Sequence, residues 1–127
     1  MRILYLAALV LATASPALAN DASAEQFLVR AERLLGKGPM ALFDRDYKKL
    51  SGEGEAAGVS IRLEREAAER AGKPILYCSP KPRAELGNME FIRGLRAIPP
   101  AQRRTMSVRA AMLQVLQKKY PCGRQAK

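Results

Sequence analysis

The 127-residue chain contains no histidine and no tryptophan. Without histidine, a Ser-His-Asp triad, a Cys-His pair and any imidazole-based metal centre are excluded. Without tryptophan, and with only seven other aromatic residues (four Tyr, three Phe), no platform for stacking nucleic-acid bases is evident, and no nucleic-acid module is recognisable. Cysteine is limited to Cys78 and Cys122, with no Cys-x-x-Cys pair, so a thiolate metal cage fails as well. There is no glycine-rich phosphate loop, no internal repeat and no β-hairpin signal. The carboxylate pairs Asp44/Asp46 and Glu64/Glu66 stand two residues apart, a spacing that points side chains to different faces of a helix. Ser60, Ser79 and Ser107 lack a base. These absences predict a chain that is not an enzyme and uses no metal or cofactor.

Long apolar runs are also missing. The longest uncharged apolar stretch, residues 3–14, falls short of the roughly 20 residues of a membrane-spanning helix. It follows Met1-Arg2 and leads into Ser15-Pro16-Ala17-Leu18-Ala19. A positive start, an apolar middle and small residues at Ala17 and Ala19 are the pattern of a secretory signal. Cleavage between Ala19 and Asn20 is expected, leaving residues 20–127 as one domain. No cysteine lies near the cleavage point to receive a lipid. Export makes a Cys78–Cys122 disulfide the expected state of the two thiols. Such a bond closes a 45-residue loop, for which chain entropy suggests about 4 kcal/mol of stabilisation.

What remains reads as helix. Ser23 and Gln26 have capping-box spacing ahead of Ala24, Phe27, Leu28, Ala31, Leu34 and Leu35 on one face. Gly36-Lys37-Gly38-Pro39 ends that helix. A second is expected from Pro39, burying Met40, Phe43, Tyr47 and Leu50 and stopping near Ser51-Gly52. A third would carry Ala56, Val59, Leu63, Ala67 and Ala71 as a narrow apolar stripe, with a Glu66–Arg70 pair and Gly72 and Pro74 as its stop. After the apolar run Ile75-Leu76-Tyr77-Cys78, Pro80 and Pro82 enforce a loop. Asn88 is placed to cap a helix with Met89, Ile92 and Leu95 inward, ended by Ile98-Pro99-Pro100. Ser107 caps the last, with Val108, Ala111, Met112, Val115, Leu116 and Tyr120 on one face. The fold class is all-α, a small bundle of about five helices stapled by one disulfide.

Acidic residues are scarce in the second half. Residues 20–72 hold 9 basic and 10 acidic side chains, net −1, whereas residues 73–127 hold 12 basic and 2 acidic, net +10. This asymmetry points to an anionic partner, either an acidic protein or, for a structural or stress-related periplasmic protein, an anionic membrane or envelope surface touched by the basic C-terminal half without insertion as an integral protein. Nucleic acid fits poorly with export.

Tyr77-Cys78-Ser79-Pro80, the helix opening at Asn88-Met89-Glu90-Phe91, Ile98-Pro99-Pro100 and the terminal Tyr120-Pro121-Cys122 together resemble the type VI secretion amidase immunity (Tai-like) family. The likeness spans residues 76–122. Members often carry a further cysteine pair nearer the N-terminus, which this chain lacks. The resemblance implies a periplasmic protein that binds a secreted cell-wall amidase and plugs its substrate cleft. The plug it implies here is the loop of residues 79–88, with Lys81, Arg83 and Glu85 at the tip.

Overall fold

A computed structural model describes residues 22–123; the segment expected to be an export signal, and the expected cleavage point at Ala19 and Asn20, lie outside the described residues. The described part is all-α, with no strand beyond a single bridge between Ser23 and Ser107. Helix α1 spans Ala24–Gly36, and a 3-10 helix spans Gly38–Phe43. Helix α2 spans Arg45–Arg70, α3 Asn88–Ala97, α4 Pro100–Arg103 and α5 Val108–Lys119. Among the described residues no helix is long and apolar enough to cross a membrane.

Helix α1 starts where its capping box places it. The Ser23 hydroxyl accepts from the Gln26 N–H at 3.1 Å, and the Gln26 side chain accepts from the Ser23 N–H at 3.3 Å. Helix α5 starts beside it: the Ser107 hydroxyl accepts from the Ala110 N–H at 3.0 Å, and the Ala24 N–H donates to the Met106 carbonyl at 2.9 Å. Two helix N-termini are thereby locked together before either runs into the core. Helix α2 packs on α1 and α5, and α3 packs on the same two. Phe27, Leu28, Ala31 and Leu34 of α1 meet Leu95, Ala111, Met112 and Leu116 in one apolar cluster. Phe27 and Phe91 stack obliquely with centroids 5.6 Å apart.

The middle of the chain departs from expectation. The second and third expected helices are one, α2, running unbroken through Gly52, Gly54 and Gly58. Gly54 stands against the Phe27 ring and Gly58 against the Met112 sulfur, at Cβ-equivalent distances of 3.8 and 3.7 Å. Packing of α1 and α5 across these positions outweighs the weak helix propensity of glycine. The inward stripe is Leu50, Ala57 and Ile61. The stripe expected to be buried, Ala56, Val59, Leu63 and Ala67, is exposed. Of Met40, Phe43, Tyr47 and Leu50 only Leu50 is buried. Asp44 explains this: its carboxylate caps α2 by accepting from the Asp46 N–H at 2.8 Å. The helix therefore restarts after Phe43 instead of at Pro39. The expected Glu66–Arg70 pair is replaced by Arg62–Glu66 at 3.9 Å and Arg65–Glu69 at 3.1 Å.

Smaller shifts follow in the second half. Gly87, not Asn88, is the cap residue of α3, and its N–H donates to the Glu90 carboxylate at 3.2 Å. Phe91 takes the inward place expected for Met89, which is exposed. The single turn α4 was not expected, and it delivers Arg103. That side chain is only 9% exposed, the sole charged residue buried among those described. Its guanidinium donates to the carbonyls of Leu95 and Ile98, which close α3, and to Glu25 of α1 at 2.6 Å. Helices α3 and α5 come so close that a Cβ on Gly94 would lie 2.5 Å from Val115 Cγ2.

Two stability measurements check this account. Arg103→Ala leaves the Ile98 carbonyl and the Glu25 carboxylate without their donor and takes one of two donors from the Leu95 carbonyl. It is expected to lower unfolding free energy in urea by about 3 kcal/mol, with Glu25→Gln losing less. Gly94→Ala is expected to destabilise by about 1–3 kcal/mol through overpacking, although alanine ordinarily favours a helix interior. Adding Val115→Ala to it recovers most of that loss, whereas a simple additive penalty would contradict the close-contact explanation.

Candidate binding surface

Cys78 and Cys122 are bonded, with Cα atoms 5.0 Å apart. The bond ties the start of the proline-bearing loop to the chain just past α5. Around it the loop is fastened at several points. The Cys78 N–H donates to the Tyr120 carbonyl at 3.0 Å, and Gln117 Nε2 donates to the Leu76 carbonyl at 3.2 Å. Tyr77 is buried, its ring 6.5 Å from that of Tyr120 and under the Arg65 guanidinium at 5.4 Å. Burial pushes its phenol above the usual value.

The loop is braced from within as well. Ser79 Oγ accepts from the Ala84 N–H at 2.9 Å. The Tyr120 hydroxyl accepts from the Glu85 N–H at 3.2 Å and donates to the Glu85 carbonyl at 3.1 Å. Lys119 Nζ donates to that same carbonyl and to the Glu90 carboxylate, each at 2.7 Å. Bonding to Lys119 and to the Gly87 N–H holds the Glu90 carboxyl below its ordinary value. The side chains of Lys81, Arg83 and Glu85 are exposed, and none makes an ion pair or side-chain hydrogen bond among the described residues. The backbone is anchored while three charged side chains are exposed and have no partner among the described residues. The anchors Tyr120, Lys119 and Ser79 were not singled out by the sequence as loop contacts; the aromatic placed directly before Pro121-Cys122 was the available signal.

The carboxylates weighed as acid–base candidates are engaged otherwise. Asp44 and Asp46, two apart in sequence, are drawn together by Arg33, which reaches both at 3.1 Å. Arg30 bridges Asp46 and Glu53 at 2.8 Å each, and Lys37 pairs with Asp44. Arg33, then Lys37 and the Asp46 N–H, hold the Asp44 carboxyl far below the usual carboxylate range; Arg30 and Arg33 do the same to Asp46 less strongly. Carboxylates held this way accept hydrogen bonds and are poor proton donors. Glu64 pairs with Arg109, which also donates to Ser60 Oγ at 3.1 Å. Among the described residues no cluster of His, Cys, Asp or Glu is arranged to hold a metal.

The basic half spends part of its charge internally. Arg96 pairs with Glu32 at 2.6 Å, Arg103 with Glu25 at 2.6 Å and Arg109 with Glu64. All three acids belong to the first half of the chain. Comparison with protein-family models, with curated proteins and with solved structures finds no match to this chain.

The Asp44 cluster makes stability pH-dependent in a defined sense. A carboxyl whose folded pKa is depressed stabilises the fold above its unfolded pKa, and that contribution is lost as pH falls through the folded value. Thermal unfolding should be flat down to about pH 4, the ordinary aspartate range, and decline below it. Asp44→Asn keeps a helix-capping side chain but removes the charge. It is expected to lower the melting temperature at pH 7 and to flatten the acid decline, and an unchanged acid limb would refute the assignment.

Proposed function

We propose that the chain is a non-catalytic binding protein of the periplasm, with residues 79–88 as the surface it presents to its partner. The observation that carries this reading is the contrast within the loop: a backbone fastened by Ser79, Lys119, Tyr120 and the disulfide, and exposed Lys81, Arg83 and Glu85 without partners among the described residues. A segment already held in one conformation loses little entropy on docking, and charges free of internal partners remain available to another surface. The resemblance of residues 76–122 to amidase immunity proteins supplies the partner class, a secreted peptidoglycan amidase whose substrate cleft the loop would plug. Contact of the basic half with anionic envelope surfaces is the competing reading. Lys73, Arg93 and Lys118 stay without ion-pair partners among the described residues and favour it. The inward pairing of Arg96, Arg103 and Arg109 weakens it.

Affinity capture from periplasmic extract, followed by calorimetry with the recovered hydrolase, tests the proposal. Lys81→Glu with Arg83→Glu is expected to weaken binding by about tenfold or more and to reduce its salt dependence. Tyr120→Phe leaves the tip intact but releases the Glu85 N–H and leaves its carbonyl to Lys119 alone, and is expected to weaken binding chiefly through an unfavourable entropy change. Recovery of no hydrolase, or binding indifferent to both changes, would defeat the proposal.

A further inference from the structure

The 3-10 helix Gly38–Phe43 holds three large apolar side chains in water: Phe43 is 82% exposed, Met40 65% and Leu42 64%. No other short segment of the described residues exposes comparable apolar bulk. Its shape is fixed at both ends. Gly38 enters with φ 57°, a conformation open to glycine, and Pro39 follows at the first helical position. At the exit the Asp44 N–H donates to the Ala41 carbonyl at 3.0 Å, while the Asp44 side chain caps α2 and pairs with Lys37. The turn is a rigid knuckle between α1 and α2, and only Ala41 of its apolar residues packs against the core.

The charges around the knuckle are sorted by sign. Asp44 and Asp46, the acids nearest to it, are occupied by Arg30, Arg33 and Lys37. Arg45 lines a shallow open depression with Met40 and Phe43. Lys48 and Lys49 follow Arg45 by three and four residues, one turn on along the same side of α2. All three cations are exposed, with no carboxylate within ion-pair distance among the described residues. Three projecting apolar groups thus have Arg45 beside them and Lys48 and Lys49 one turn further on, cations without ion-pair partners among the described residues.

We propose that this knuckle is an interfacial contact for an anionic lipid bilayer. Met40, Leu42 and Phe43 enter the acyl boundary while Arg45, Lys48 and Lys49 lie among the phosphates. The apolar tip alone would suit any apolar surface; the cations select an anionic one, and the convex shape suits a deformable layer better than an enclosed ligand. The site is separate from the basic half and from residues 79–88, so it stands or falls independently of the amidase reading.

The absence of tryptophan allows a clean reporter. The chain from Asn20 onward, which contains the whole described fold, is prepared as Leu42→Trp and mixed with vesicles of phosphatidylglycerol and phosphatidylcholine, or of phosphatidylcholine alone. Sedimentation with the anionic vesicles and a blue shift of the reporter are expected at low salt, with the half-binding lipid concentration rising about tenfold or more in about 0.5 M salt. Met40→Ser with Phe43→Ser, in the chain without the reporter, should raise that concentration by about tenfold or more without changing the thermal melt. Arg45→Gln with Lys48→Gln and Lys49→Gln should abolish most of the salt dependence. The proposal is overturned if anionic vesicles bring down no protein at low salt, or if the reporter stays unshifted on bound vesicles. It is equally overturned if binding survives the serine pair but is lost in Lys81→Gln with Arg83→Gln and Lys118→Gln. A blue shift that grows with protein concentration in the absence of lipid would assign the knuckle to a second copy of the chain instead.

Discussion

The architecture turns on Arg103. One guanidinium, delivered by a four-residue helix, terminates α3 through two carbonyls and reaches across to Glu25 in the first turn of α1. A buried charge is tolerable only when its donors are satisfied together, and the two carbonyls and the carboxylate do so from both halves of the chain. The consequence is geometric. The end of α3, the turn that follows it and the start of α1 have one mutual arrangement in which this cation is satisfied, and the Ser23–Ser107 bridge then sets α5 beside α1.

The same pairing changes the meaning of the charge distribution. Read along the chain, a neutral first half and a strongly basic second half suggest attraction to something external. Folded, Arg96, Arg103 and Arg109 meet Glu32, Glu25 and Glu64, so part of the asymmetry is the complementarity that docks one half on the other. The exposed pairs add little to stability individually. Their effect is on specificity, since a wrong docking would set cations of the second half opposite cations of the first. The charge left for partners is therefore smaller than composition implies, and it is the location of the unpaired cations that matters.

Much of this fold was legible from local signals. Ser23, Gln26 and Ser107 announce their helices because a cap is a short-range hydrogen bond that the sequence alone specifies. The disulfide followed from the even cysteine pair together with the expected export. Legibility failed where tertiary packing decides. Helix α2 carries two apolar stripes, Leu50–Ala57–Ile61 and Ala56–Val59–Leu63, on opposite sides, and periodicity cannot say which one faces the core. The deciding feature was the glycines: Gly54 and Gly58 lie on the inward side, where Phe27 and Met112 pack against them. Of the loop, the irregular path set by Pro80 and Pro82 was legible in the sequence; the clasp of Tyr120 on Glu85, across 35 positions, was not.

The knuckle illustrates the opposite failure. Met40 and Phe43 were expected inside because apolar side chains usually are, and the spacing fitted a helix from Pro39. Asp44 overrides that spacing, since a carboxylate able to cap a new helix ends whatever precedes it. A connector of six residues has no need of Met, Leu and Phe; serine or asparagine would make the same turn with less risk of self-association. Their placement on a braced turn, beside Arg45, Lys48 and Lys49, keeps them exposed without collapse onto the protein, while like charges on neighbouring copies discourage aggregation. Apolar bulk held outward by a capped turn and bordered by cations is what the physics of an interfacial contact asks for, and composition alone does not disclose it.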